Sequence, residues 1–293
     1  MKTLMATDGS PEATAALRGA ARFLRKEKNQ ICVLCVAPEP AGQARISYRQ
    51  RIAKETEAIL SNAQHVLDNE GTHAGTFTQF GSPAGIIQQL TRQFDVTVVG
   101  ATGLRDRSLI GIGPVAGRVV EHGLGTVLVV REPPSDGSWR ALIAVDGSHA
   151  SRTALNALRL YFNVGAAEVT LIHVVETSWV HLGLSPEWRD YPDEVLDRVD
   201  PEIQLEKELG REAETIVEDA EVTLEGFALE LKSVIREGNP ATEILGEAEL
   251  GDYDLIVLGA TGASDLKHQM LGSVSAKVAA QASCSVAVVR ARE

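Results

Sequence analysis

Met5-Ala6-Thr7-Asp8-Gly9-Ser10 and, far downstream, Ile143-Ala144-Val145-Asp146-Gly147-Ser148 are two versions of one stretch: a short apolar run that breaks into Asp-Gly-Ser. Two further pairs follow in the same order. Val99-Gly100-Ala101-Thr102-Gly103 returns as Leu258-Gly259-Ala260-Thr261-Gly262, and Val127-Leu128-Val129-Val130 returns as Val286-Ala287-Val288-Val289. Ordered recurrence over this separation marks a duplicated domain, because the repeat is too long for the units that stack into solenoids. A chain of 293 residues has room for two domains with a core each. The expected division is residues 1–132, a polar, Pro/Gly-rich linker at 133–138, and residues 139–293.

Around those anchors, strand and helix signals alternate. In the first half, strands are predicted at Lys2 to Thr7, Ile31 to Ala37, Thr76 to Phe80, Val96 to Val99 and Thr126 to Val130. Ser10-Pro11 opens a helix with a capping hydroxyl and a first-turn proline. Ala13, Ala16, Leu17, Ala20, Ala21 and Leu24 then recur at helical spacing as one buried stripe. Further helices are predicted around Ile52 to Val66, from Pro83 to about Gln93, and from Pro114 to about His122. The second half repeats the order, with strands at Ala141 to Val145, Val169 to Val175, Leu229 to Ile235, Leu255 to Leu258 and Val286 to Val289. Its long helix is predicted from Glu202 to about Ala220, on the acidic stretch Glu206 to Glu225, and its last helix from Ser273 to Ala280. Such alternation implies parallel βαβ units with helices on both faces, that is, two tandem doubly wound α/β domains. Ligands of such sheets bind beyond the carboxyl ends of the strands. Asp8 and Asp146 sit at one such end and the glycine pairs at another, so they converge on one mouth per domain.

The glycine spacing carries the chemistry. In the second half Gly259 and Gly262 are followed, after nine intervening residues, by Gly272-Ser273-Val274-Ser275 at a helix start. Glycine lets backbone approach a ligand, and a helix start offers free amides and a positive dipole end to phosphate. The two seryl hydroxyls add donors. The same glycines read equally well as turns and caps. Neither a Rossmann fingerprint nor the lysine of a P-loop is present. In the first half Gly100, Gly103 and Gly113 keep the spacing, but Pro114 replaces the first serine and Ala116 the second. Proline lacks an N–H, so that half is expected to have lost one amide and two hydroxyls. Arg105, Arg107, Lys267 and His268 lie in the two loops and read either as phosphate partners or as solvated charge.

GxxG, nine residues, then Gly-Ser, with an aspartate after the first strand, resembles the universal stress protein family, once per half. The resemblance implies a five-stranded parallel sheet in each domain and ATP as ligand; aspartates near bound phosphates are candidates to hold Mg2+. It carries over to Asp146 against the nucleoside, Val174 with its backbone at adenine, Gly259 and Gly262 at the ribose and phosphates, and Gly272, Ser273, Val274 and Ser275 at the phosphates. The weaker counterparts in the first half are Asp8, Val36, Gly100, Gly103 and Gly113. It also implies pairing of the two domains through their last strands, and it admits a homodimer.

Composition bounds the rest. The net charge of −12 argues against nucleic acid as partner. No apolar run approaches the roughly 20 residues of a membrane helix. Cys32, Cys35 and Cys284 make an odd count without a signal peptide, which fits the cytoplasm. Cys32 and Cys35 have CxxC spacing but lie in a strand, where positions three apart face opposite ways, so a redox or metal pair is not expected. No HExxH, GxSxG or other catalytic signature appears, and the seven histidines are scattered. A regulatory ATP binder is the leading expectation; a slow ATPase or nucleotidyl-transfer enzyme and a nucleotide-free scaffold are the alternatives. Residues 177–200 have no counterpart in the first half and hold Trp179, Trp188 and Tyr191, which suits an ordered cover, a contact surface or an idle excursion.

Overall fold

The computed structural model describes residues 1–39, 45–103, 111–132, 137–176, 201–262 and 271–291. The segment 177–200, the loop residues Arg105, Arg107, Lys267 and His268, and most of the linker lie outside the described residues. Ten strands form one sheet: β1 (Lys2–Thr7), β2 (Gln30–Ala37), β3 (Ala74–Phe80), β4 (Val96–Gly100), β5 (Gly125–Val130), β6 (Trp139–Ala144), β7 (Ala167–Val175), β8 (Glu230–Glu237), β9 (Leu255–Gly259) and β10 (Ser285–Arg290). Their order is β3-β2-β1-β4-β5-β10-β9-β6-β7-β8. Each half is therefore a five-stranded unit with its first strand in the centre and its last at the inner edge. All pairings are parallel except β5 with β10, where Val129 faces Val286 and Val127 faces Val288. Two antiparallel inner edges satisfy each other's backbone groups and leave neither open.

The described helices are α1 (Pro11–Phe23), α2 (Arg45–Asn69), α3 (Pro83–Leu90), α4 (Pro114–His122), α5 (His149–Tyr161), α6 (Pro201–Leu224), α7 (Pro240–Leu250) and α8 (Ser273–Gln281). Their starts follow local chemistry. The Ala13 amide donates to Ser10 Oγ at 3.0 Å, the Ser151 amide to Ser148 Oγ at 3.0 Å, and the Thr242 amide to Asn239 Oδ1 at 3.2 Å. One apolar layer runs unbroken across both halves under α1, α2, α5 and α6, through Met5, Leu17, Leu67, Leu128, Ile143, Leu158 and Leu224. The opposite layer joins the sheet to α3, α4, α7 and α8 through Leu4, Ile87, Val119, Ile244 and Val278. The stripe read for the first helix is the one buried. The acidic α6 buries Ala213, Val217, Ala220 and Leu224 and exposes Glu208, Glu212, Glu214, Glu218 and Asp219, and it runs four residues beyond the expected Ala220 because Leu224 extends the stripe.

Outside the strands, the halves meet where α1 and α5 end. Leu24 and Phe162 form an antiparallel bridge, the Arg25 amide donates to Tyr161 O at 2.9 Å, and the Asn163 amide to Phe23 O at 2.8 Å. Phe23 meets Trp139 edge-on at 5.1 Å between ring centroids. On the opposite face α4 packs beside α8.

Candidate functional site

At the end of β6 the chain must turn sharply into α5. Gly147 takes φ +72°, a left-handed value that favours glycine, and a Cβ there would stand 3.1 Å from Ile216 Cγ1 of α6. Asp146 Oδ1 accepts the Ser148 amide at 3.0 Å, which locks the carboxylate to the helix start. The first half repeats this turn: Gly9 has φ +79° and the Ser10 amide donates to Asp8 Oδ1 at 3.0 Å.

The glycine loop crosses directly above. A Cβ on Gly262 would lie 3.1 Å from Asp146 Oδ2, and one on Gly103 would lie 2.7 Å from Asp8 Oδ2. Gly259 is tighter still, since a Cβ would meet the Ala150 carbonyl carbon at 2.8 Å and its oxygen at 2.9 Å. The ends of the loop are tied together: the Ala260 amide donates to Val289 O at 2.7 Å, and the Gly272 amide to Ala260 O at 2.7 Å. Gly272 then caps α8, whose first intrahelical bond is Ala276 to Gly272 at 2.9 Å. The amides of Ser273, Val274 and Ser275 are left without an intrahelical acceptor. The Ser273 side chain is exposed beside them.

Ser275 behaves differently from the sequence expectation of a second phosphate hydroxyl. It is buried, and its Oγ donates to Gly259 O at 2.7 Å. That hydroxyl ties α8 to the end of β9, which leaves only the Ser275 amide for a ligand. Ala116, its counterpart on α4, makes no such tie, and Pro114 at the first position of α4 has no amide to offer.

Val174 is half-buried on β7, one strand beyond β6 from the glycine loop. Its neighbour His173 is the positioning residue that the scattered histidines hid. His173 Nδ1 donates to Val145 O at 2.7 Å and so holds the residue before Asp146. The clue in the sequence is position: it stands where Cys35 stands in the first half. The Cys35 thiol is pushed up to about 11 by burial and, secondarily, by the Asp8 carboxylate. The shift holds the sulfur as the neutral thiol, whereas nucleophilic attack and metal ligation use the thiolate. All three cysteines are free.

A cavity of about 1150 Å3 opens beside Asp146, between α5 and α6. Asp146, Arg152, Ile216, Asp219 and Gly262 border it, whereas Val174 and the start of α8 do not. The geometry thus sets Gly262 against Asp146, ties Ser275 to Gly259 and Gly272 to Ala260, and leaves Val174 one strand away on β7. The donor set of three helix-start amides and a free seryl hydroxyl fits an anion. Among the described residues no group of three acidic, His or Cys side chains suits a metal ion, and no helix is long and apolar enough to cross a membrane.

The universal stress protein family model matches residues 1–131 and again 139–290. The chain belongs to the universal stress protein family. It is a tandem member, with two family domains in one chain. It is 25% identical over 303 aligned positions to a universal stress protein of Mycolicibacterium smegmatis, covering 99% of this chain and 97% of that one. It is 32% identical over 151 positions to universal stress protein YxiE of Bacillus subtilis, covering 52% of this chain and 98% of that one. The crystal structure of a universal stress protein from Archaeoglobus fulgidus superposes with a TM-score of 0.62 at 20% identity, covering 99% and 96% of the two chains, and shares its fold.

Proposed function

We propose that this universal stress protein binds ATP in its second domain, residues 139–293, and that occupancy regulates its conformation or association during stress. The observation that carries the reading is the contrast between two helix starts. The second domain offers the amides of Ser273, Val274 and Ser275 and the Ser273 hydroxyl beneath a glycine loop seated on Asp146. The first domain, residues 1–132, opens α4 with Pro114 and is one amide and one exposed hydroxyl poorer. Two charge-assisted hydrogen bonds are worth roughly a hundredfold in affinity. The first domain, with Asp8, Val36, Gly100, Gly103 and Gly113, is accordingly the weak or silent site.

In this proposal Asp146 orients the nucleoside, the Val174 backbone lies beside adenine, and Gly259 and Gly262 let ribose and phosphate approach. Gly272 to Ser275 hold the phosphates, with Mg2+ entering as their counterion. Pairing of the last strands makes the family's dimer within one chain, and the three free thiols suit a cytoplasmic protein.

The test is the nucleotide released by denaturing the purified chain, quantified per polypeptide by chromatography. One ATP per chain is expected. Two would mean that Pro114 is tolerated, bound ADP would favour slow hydrolysis, and none, even after ATP is added back, would make the protein a scaffold.

A further inference from the structure

Helix α8 is only nine residues long; its own Ala282 amide closes it on Val278 O, and a further donor to its last turn comes from the other domain. Arg131, directly after β5, crosses the β5–β10 seam. Its guanidinium donates to Ala279 O at 2.8 Å and to Cys284 O at 3.0 Å. Ala279 lies in the last turn of α8, where Val278 O takes the Ala282 amide and the carbonyls after it have no intrahelical donor. The Arg131 amide adds a bond to Ser285 Oγ at 3.3 Å, which fixes the arginine to the strand that follows α8. Gly111 of the first domain also reaches this end. It has φ +121°, and a Cβ there would stand 3.0 Å from Ala280 O. The first domain thus supplies a cation and a close-fitting backbone to the negative end of the helix whose positive end faces the glycine loop.

We propose that Arg131 is a positioning residue for the nucleotide site of the second domain, so that the first domain serves as a brace for its neighbour's phosphate helix. This rests on the reading that the start of α8 takes nucleotide phosphates. The physical basis is twofold. A short helix pinned at its C-terminal carbonyls cannot slide along its axis, so the amides of Ser273, Val274 and Ser275 keep their places. Arg131 also gives the Ala279 carbonyl a donor, so the last turn of α8 does not fray. It gives a domain whose own helix starts with proline a part in its neighbour's site. Arg25 gives a matched control. It too crosses between the domains, donating through Nε to Phe162 O at 3.0 Å, but at the ends of α1 and α5, away from α8.

The experiment uses the full chain, with Arg131→Met, Arg131→Lys and Arg25→Met. Titration calorimetry at low salt reads ATP and adenosine, and circular dichroism checks folding. Arg131→Met is expected to weaken ATP by about twofold to tenfold, the scale of one weakened hydrogen bond at the site. Adenosine, which has no phosphate, is expected to bind unchanged. Arg131→Lys keeps the charge with a single-point donor and is expected to recover part of the loss; it also carries the test if Arg131→Met does not fold. Arg25→Met is expected to lower thermal stability without changing ATP affinity. Equal loss of ATP and adenosine, an unchanged ATP affinity in Arg131→Met, or an equal effect of Arg25→Met would overturn the proposal. A wild-type chain that binds no ATP overturns the nucleotide reading itself, and the brace with it, before any variant is made.

Discussion

Gly259→Ala puts the packing of the site under direct stress. The added Cβ would sit 2.8 Å from the Ala150 carbonyl carbon and 2.9 Å from its oxygen. Comfortable contact between carbon atoms is about 3.5–4.0 Å, so roughly 0.7 Å must be found. The partner is backbone in the first turn of α5, held by the Ser148 cap, and cannot rotate aside. Overpacking of this kind costs about 1–3 kcal/mol. For a domain of this size that lowers Tm by about 2–12 °C. Gly100→Ala supplies the internal comparison. Its Cβ meets nothing closer than Thr102 O at 3.2 Å, and neither glycine has a left-handed φ. The crowding there is partly offset by the roughly 0.4–1 kcal/mol that alanine gains through a less flexible unfolded chain. Gly100→Ala is therefore expected to stay within about 1 kcal/mol of the parent. Differential scanning calorimetry on both variants, with urea midpoints as a cross-check, decides the matter. Equal shifts, or a neutral Gly259→Ala, would refute the claim that the β9 end is closed to any side chain.

Ser275→Ala removes the donor from Gly259 O and is expected to cost about 1–3 kcal/mol in urea unfolding, because a buried carbonyl loses its partner. Trp139 is buried against Phe23, and its indole N–H has no partner among the described residues, so Trp139→Phe should lose clearly less stability than Trp139→Ala, which is expected to lose about 3–5 kcal/mol. Burial pushes the thiols of Cys35 and Cys284 from an ordinary 9.0 to about 11. The unfolded chain therefore releases these protons first. Their contribution to stability is complete below pH 9.0 and is lost as pH rises through about 11. Thermal scans of the parent against a Cys35→Ala, Cys284→Ala double variant should diverge in that window and run parallel below it.

Much of the fold was legible because its signals are local. A capping serine, a first-turn proline and a 3.6-residue stripe concern neighbours a few positions apart, and Ser10 to Leu24 could be read from them alone. The duplicated Asp-Gly-Ser and GxxG stretches likewise placed Asp146 and Gly262 at one mouth, and the fold brings them into contact. Boundaries were less sharp: β3 begins at Ala74 and β7 at Ala167, earlier than hydrophobicity suggested, because strand pairing continues wherever a neighbour offers backbone partners.

The sequence by itself determined the duplication, the α/β alternation and the loss of donors at Pro114, since each depends on residue type and spacing. Tertiary structure alone decided that β5 and β10 run antiparallel in one ten-stranded sheet, that the Ser275 hydroxyl is given to Gly259 O, that His173 holds Val145, and that Arg131 donates to the last turn of α8. Arg131 and Ala279 are 148 positions apart. No local pattern encodes such a contact. It exists because burying two sheet edges against each other brings the carbonyl end of one domain's helix to the arginine of the other.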